Sequence, residues 1–210
     1  MDRPWNTRPI FECGEPLKTL PPIIHCIEPH PYVSLGAPYG NVGNPFLVRE
    51  GVLDRLLIAQ KLLKELEPDL QLLIFDAWRP ISVQSFMVNY SIEKMCNEKG
   101  LDRNSEEDAN EVKTLVEDVS RFWAPPSLDP RTPPPHSTGA AIDLTLADLS
   151  LNELSMGCEI DDIGEKANPN YFIQFSKENP YSQEYLWQVR RDLLSKVMSQ
   201  SGFVQHPNEW

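Results

Sequence analysis

The sequence is poor in the features that place a protein in a membrane, on nucleic acid or in a disulfide scaffold. No apolar run approaches the roughly 18 residues that a membrane-spanning helix needs. The opening Met1-Asp2-Arg3-Pro4-Trp5 lacks the basic and apolar regions of a secretory signal, so a cytoplasmic location is expected. Basic residues are scarce: 19 Lys and Arg against 31 Asp and Glu give a net charge of −12. Such a surface repels phosphate backbones and anionic lipid heads, which argues against nucleic acid and membrane surfaces as partners. Cysteine is sparse as well. Cys13, Cys26, Cys96 and Cys158 contain no CxxC pair, so neither a cysteine-held zinc nor a disulfide framework is indicated, and reduced, mostly buried thiols are expected.

What remains suits one globular domain. The chain has 210 residues, 40% of them hydrophobic, with no internal repeat and no linker that would divide it. Residues 1–45, rich in Pro, Gly and Asn, read as an irregular arm over the body. From Glu50 to about Glu67 apolar residues recur at helical spacing, and Pro68 ends that helix. Leu72-Leu73-Ile74-Phe75 reads as a buried strand leading into Asp76-Ala77-Trp78-Arg79-Pro80. Pro80 then sits in the first turn of a helix that stops at Gly100. Ser105 and Asp108 resemble a capping box opening another helix, which ends near Trp123.

Pro125, Pro126, Pro130, Pro133, Pro134 and Pro135 then impose a stiff, non-helical connector. After it, Ile142, Leu144 and Leu146 share one strand face and Asp143 points the other way. A last amphipathic helix begins near Ser182 and ends at Gly202, and Phe203-Val204 reads as the entry to a final strand. Helices and short strands without regular βαβ alternation predict an α+β fold: a single domain with a mixed or antiparallel sheet packed by helices.

Candidates for chemistry are few. His136 and Asp143 pair a neutral imidazole with a carboxylate, both suitable zinc ligands, and Gly139 with Ala140 and Ala141 lets the chain bend so that they converge. Arg79 has two readings, an oxyanion stabiliser or the partner of an Asp76 ion pair. Glu209 is either a surface glutamate or a general base beside a metal-activated water. His206 reads as an exposed loop histidine.

Together these segments resemble the zinc D-alanyl-D-alanine dipeptidases, whose pattern is D-x-x-R-P, then H-x-x-G-x-A-x-D, then a terminal E-W-W-H. Here they stand as Asp76 to Pro80, His136 to Asp143, and Glu209-Trp210. Met156-Gly157 with Asp161 resembles a further M-G-x-x-F-D segment, with Ile160 in place of the aromatic residue, and the stretch from Tyr39 to Leu57 is similar to the family's N-terminal region. The resemblance covers nearly the whole chain.

It implies zinc held by His136 and Asp143, and Glu209 as the base that deprotonates the zinc-bound water. It implies Arg79 as the group that stabilises the tetrahedral oxyanion, and Asp161 as the holder of the substrate ammonium. The implied substrate is D-alanyl-D-alanine or a similar small D,D-dipeptide from cell-wall chemistry. Two departures stand out: Pro134 replaces a serine that binds the substrate carboxylate in some members, and the third ligand of E-W-W-H falls two residues past Trp210. The C-terminal end is therefore expected to be incomplete. The competing expectations are a non-catalytic descendant with an incomplete metal site and a zinc D,D-carboxypeptidase acting on longer cell-wall peptides.

Overall fold

The computed structural model describes residues 10–40 and 43–210; the opening segment read above for a leader lies outside them. Its elements in chain order are β1 (Leu17–Thr19), β2 (His25–Cys26), α1 (Pro31–Ser34), β3 (Leu47–Arg49), α2 (Glu50–Leu66), β4 (Leu70–Asp76), α3 (Ile81–Lys99), α4 (Ala109–Phe122), β5 (Asp143–Asp148), α5 (Ile173–Glu178) and α6 (Gln183–Gln200). The central sheet has the order β2-β4-β5, with β2 parallel and β5 antiparallel to β4, and β1 pairs with β3 in a separate antiparallel ribbon. This is the expected α+β architecture with a mixed sheet. Among the described residues no helix is long and apolar enough to cross a membrane.

Strand alternation organises the core. Leu72 and Ile74 on β4 share one face; they join clusters with Leu56, Ala59 and Leu63 of α2 and Leu194 and Val197 of α6. Phe75 points the other way, against the cluster that Val83, Met87, Leu115 and Val119 build from α3 and α4. Burying Leu56, Leu63, Leu72, Ile74 and Leu146 completely stabilises this layering by about 1.5–3 kcal/mol for each side chain. The arm is more than a wrapping: it supplies β1, the sheet strand β2 and the turn α1.

Two local expectations change. The capping box is not formed: Ser105 Oγ accepts from Glu107 N (3.1 Å), Asp108 accepts from Asp102 N (2.7 Å), and α4 starts only at Ala109. These side chains satisfy a preceding turn instead of the helix end. After α6, residues 203–210 form irregular chain with a turn at Pro207-Asn208 but no strand. Ser182 does cap α6, accepting from Tyr185 N at 3.2 Å. All four cysteines are free, but only Cys96 is fully buried.

Candidate active site

The site begins with a fault in the sheet. Along β4 and β5 the register is regular up to Ile74 opposite Leu144, then shifts so that Asp76 lies opposite Asp143. A bulge of this kind re-aims side chains at a strand end. Here it sets two carboxylates across from each other, which is unfavourable without intervening positive charge or hydrogen-bond donors. Arg79 and His136 both bridge them. Arg79 Nη2 stands 2.6 Å from Asp76 Oδ2 and 3.4 Å from Asp143 Oδ2. His136 places Nδ1 3.3 Å from Asp76 Oδ2 and Nε2 3.4 Å from Asp143 Oδ2. The ion pair with Asp76 is thus formed, and the same guanidinium also faces Asp143.

His136 is held by the backbone around it. It lies in a 3-10 turn, Pro135–Thr138, that the proline connector delivers. Arg79 N donates to the His136 carbonyl (3.3 Å), and Ser137 Oγ donates to the Arg79 carbonyl (2.7 Å), so turn and arginine are stitched together. Gly139 closes the turn with φ +75°, and a Cβ there would overlap Leu17. Only glycine meets both demands without strain.

Nδ1 of His136 lies 2.8 Å from the Ala77 carbonyl, which can only accept, so Nδ1 carries the proton. Nε2 of the neutral ring then presents a lone pair to an Asp143 oxygen, an arrangement that calls for a proton or a metal ion between them. Tetrahedral zinc with bonds of about 2.0–2.1 Å separates two ligand atoms by about 3.3–3.4 Å, so the pair fits such an ion. A backbone carbonyl on the other ring nitrogen is also the usual support of a ligating histidine. Burial works against protonating His136, but the Asp143 and Asp76 carboxylates outweigh it and raise its pKa overall.

Asp76 also offers an oxygen, and donor atoms of Asp76, His136 and Asp143 all lie within 4.8 Å of one another. Its oxygens are already committed, however. Oδ1 accepts from His30 Nε2 and Tyr39 Oη, both at 3.1 Å, and Oδ2 accepts from Arg79 Nε (3.0 Å) and Nη2 (2.6 Å). Burial alone would raise its pKa; Arg79, the His30 hydrogen bond and His136 reverse that and hold it well below the usual carboxylate range. Asp76 is best read as the carboxylate that fixes Arg79. Gln84 Oε1 accepts from Arg79 Nη1 at 3.0 Å, and the guanidinium lies 4.7 Å from the Trp123 ring centre and 5.0 Å from that of Tyr32.

These groups open into a cavity of about 830 Å³ that also takes in Asp161, His206 and Glu209. Asp161 stands at φ +66°, a left-handed conformation that aspartate tolerates better than most residues. The Tyr32 hydroxyl donates to it and accepts from Arg79 Nη2 at 3.3 Å. Burial and the Asp143 charge push its pKa up to about 7. Glu209 is driven up to about 8 by burial and by the carboxylates of Asp143 and Asp161. His206 is only 24% exposed and faces Glu209 with Nδ1 3.3 Å from Oε1, in contrast to the exposed position expected of it. The Pro207-Asn208 turn, closed by Glu209 N on the His206 carbonyl (3.4 Å), folds it inward.

The structure thus brings all five candidates, Arg79, His136, Asp143, Asp161 and Glu209, to one cavity. Sequence reasoning missed His30, Tyr32, Tyr39, Gln84 and Trp123. Five carboxylates, Asp143, Glu159, Asp161, Asp162 and Glu209, line the cavity against two guanidinium groups, Arg55 and Arg79, and that of Arg79 is largely balanced by Asp76. A space of that character favours cations: a divalent metal, and an ammonium group on a ligand.

Carboxylates, a backbone-held histidine and a fixed guanidinium thus converge at the end of a small mixed sheet, and comparison with known proteins gives the class as a peptidase. A family model described as D-ala-D-ala dipeptidase matches residues 27–210, and a D-alanyl-D-alanine dipeptidase of Synechocystis sp. is 38% identical over 214 residues, covering 99% of this chain and 85% of that protein. The chain belongs to the D-ala-D-ala dipeptidase family of peptidases.

Proposed function

We propose that the protein hydrolyses D-alanyl-D-alanine and similar small D,D-dipeptides with zinc held in part by His136 and Asp143, two of the three protein ligands that a catalytic zinc ordinarily takes. The observation that carries this reading is the 3.4 Å approach of His136 Nε2 to Asp143 Oδ2, with Arg79 Nη2 at the same 3.4 Å from that oxygen. Bound zinc supplies an acidified water and polarises the scissile carbonyl.

The chain's own groups do the rest. Glu209 takes a proton from the attacking water at its carboxylate; its raised pKa makes it a stronger base than an exposed glutamate. Arg79, buried and prevented from swinging by Asp76, Gln84, Tyr32 and Trp123, presents Nη2 where negative charge develops on the carbonyl oxygen. Asp161 binds the free ammonium of the dipeptide, whose charge favours the ionised carboxylate. The proton held by Glu209 then passes to the leaving amine. The four free cysteines support a reducing, cytoplasmic setting, and the substrate class places the reaction in cell-wall precursor or turnover chemistry.

The Asp161 assignment separates this reading from a carboxypeptidase for longer peptides, which has no free ammonium to bind at that position. Free D-alanyl-D-alanine is expected to be cleaved with a kcat/KM far above that of its N-acetyl form, and Asp161→Asn is expected to erase most of that preference. Equal turnover of both substrates by the unaltered protein would exclude the dipeptidase reading.

A further inference from the structure

We infer that His30, which lies outside every motif above, is a positioning residue that sets Arg79 through Asp76; the inference rests on the dipeptidase reading. His30 immediately precedes α1 and is 5% exposed. Its Nδ1 accepts the N–H groups of Tyr32 (3.2 Å) and Val33 (3.4 Å). A ring nitrogen that accepts two backbone N–H groups carries no proton, so Nε2 holds the proton and donates it to Asp76 Oδ1 at 3.1 Å. Both nitrogens are committed, and each is committed to a different part of the site.

The Nε2 side fixes a carboxylate. With Oδ1 held by His30 and by Tyr39 Oη (3.1 Å), Asp76 cannot rotate without breaking both bonds, so Oδ2 stays aimed at Nε and Nη2 of Arg79. That paired edge of the guanidinium leaves Nη2 3.4 Å from Asp143 Oδ2. The Nδ1 side fixes α1, whose Tyr32 hydroxyl donates to Asp161 and accepts from Arg79 Nη2. Edge-on packing against Tyr32 and Tyr39, with ring centres 5.4 and 5.3 Å away, and a tilted contact with Phe46 at 5.0 Å keep the imidazole in place. One buried ring therefore ties the oxyanion side of the cavity to the ammonium side.

His30→Asn separates its two tasks, because an asparagine at that position still caps α1 but is too short to reach Asp76. Tyr39→Phe removes the second donor to Oδ1 without touching the cap. With D-alanyl-D-alanine and zinc, His30→Asn is expected to lower kcat about 10–100-fold with KM unchanged, as supporting partners of active groups do. Tyr39→Phe shifts kcat the same way by less. In nitrogen NMR the Arg79 Nε–H signal is expected to move and lose its protection from exchange, a readout independent of turnover. If His30 acts through Asp76, His30→Asn/Asp76→Asn is no slower than Asp76→Asn alone.

Normal kcat with an unmoved Arg79 signal in folded His30→Asn overturns the inference, and so does a double variant in which the two losses multiply. Should His30→Asn fail to fold, the same two readouts on Tyr39→Phe decide whether the Oδ1 donors set Arg79. Absence of turnover in the unaltered zinc-loaded protein counts against the dipeptidase reading instead, and the Arg79 signal then decides the positioning claim alone.

Discussion

Glu209→Gln is expected to lower kcat by about 10²–10⁴-fold, the range that a positioned general base contributes, while the affinity for zinc and for dipeptide stays close to that of the unaltered protein. The substitution is nearly isosteric and removes only the ability to accept a proton. In the proposed mechanism the carboxylate at this position is the proton acceptor, and its surroundings set its basicity. Burial and the charges of Asp143 and Asp161 push its pKa up to about 8. A bound metal's positive charge favours the ionised form, so the acid limb of kcat/KM is expected below that value, with activity rising as Glu209 loses its proton. Steady-state kinetics across pH, with metal content measured on the same samples, check both statements. A Glu209→Gln protein with normal kcat would return Glu209 to the status of a surface glutamate.

The second large effect belongs to Arg79. Loss of a fixed donor at a developing oxyanion typically costs about 10²–10³ in kcat, and that is the expectation for Arg79→Ala. The alanine variant has a second consequence, because Asp76 is 0% exposed and Arg79 is the cation paired with it. Removing one partner of a buried ion pair destabilises by about 3–5 kcal/mol, so part of the protein will unfold early. Arg79→Lys separates the two effects. It restores a positive charge near Asp76 but not the two-pronged contact of Nε and Nη2, nor the guanidinium's contacts with the Tyr32 and Trp123 rings. Thermal unfolding is expected to recover in Arg79→Lys more than kcat does. If kcat recovered fully, charge alone would suffice and the aim of the guanidinium would not matter.

The helical periodicity of α2, the Pro80 and Gly100 limits of α3 and the Ser182 cap of α6 made those helices legible, because each signal is local. The Ser105–Asp108 pattern was equally local but misled, since the same side chains could satisfy the turn before the helix. Phe203-Val204 carried strand residues without a strand to pair with among the described elements.

At the site, His136, Asp143 and Arg79 could be named because they lie in compact motifs on the end of a sheet. Their supports could not. His30 and Tyr39 reach Asp76 from 46 and 37 residues away, and Tyr32 reaches Asp161 across 129. They come from an irregular, proline-rich arm where no periodicity announces a buried face. Gln84 is a polar residue of α3 whose contact with the guanidinium has no local sequence signal. The bulge that opposes Asp76 to Asp143 has no sequence signature, yet it creates the crowded charge from which the rest of the site follows.

The most direct test of the account is release of D-alanine from D-alanyl-D-alanine by the purified protein, before and after removal of divalent metal by a chelator and after return of zinc. The account predicts turnover that disappears with the metal and returns with about one zinc per chain, and no return in a protein carrying His136→Ala and Asp143→Ala. Turnover that persists without metal, or zinc-restored turnover in that double variant, would contradict it.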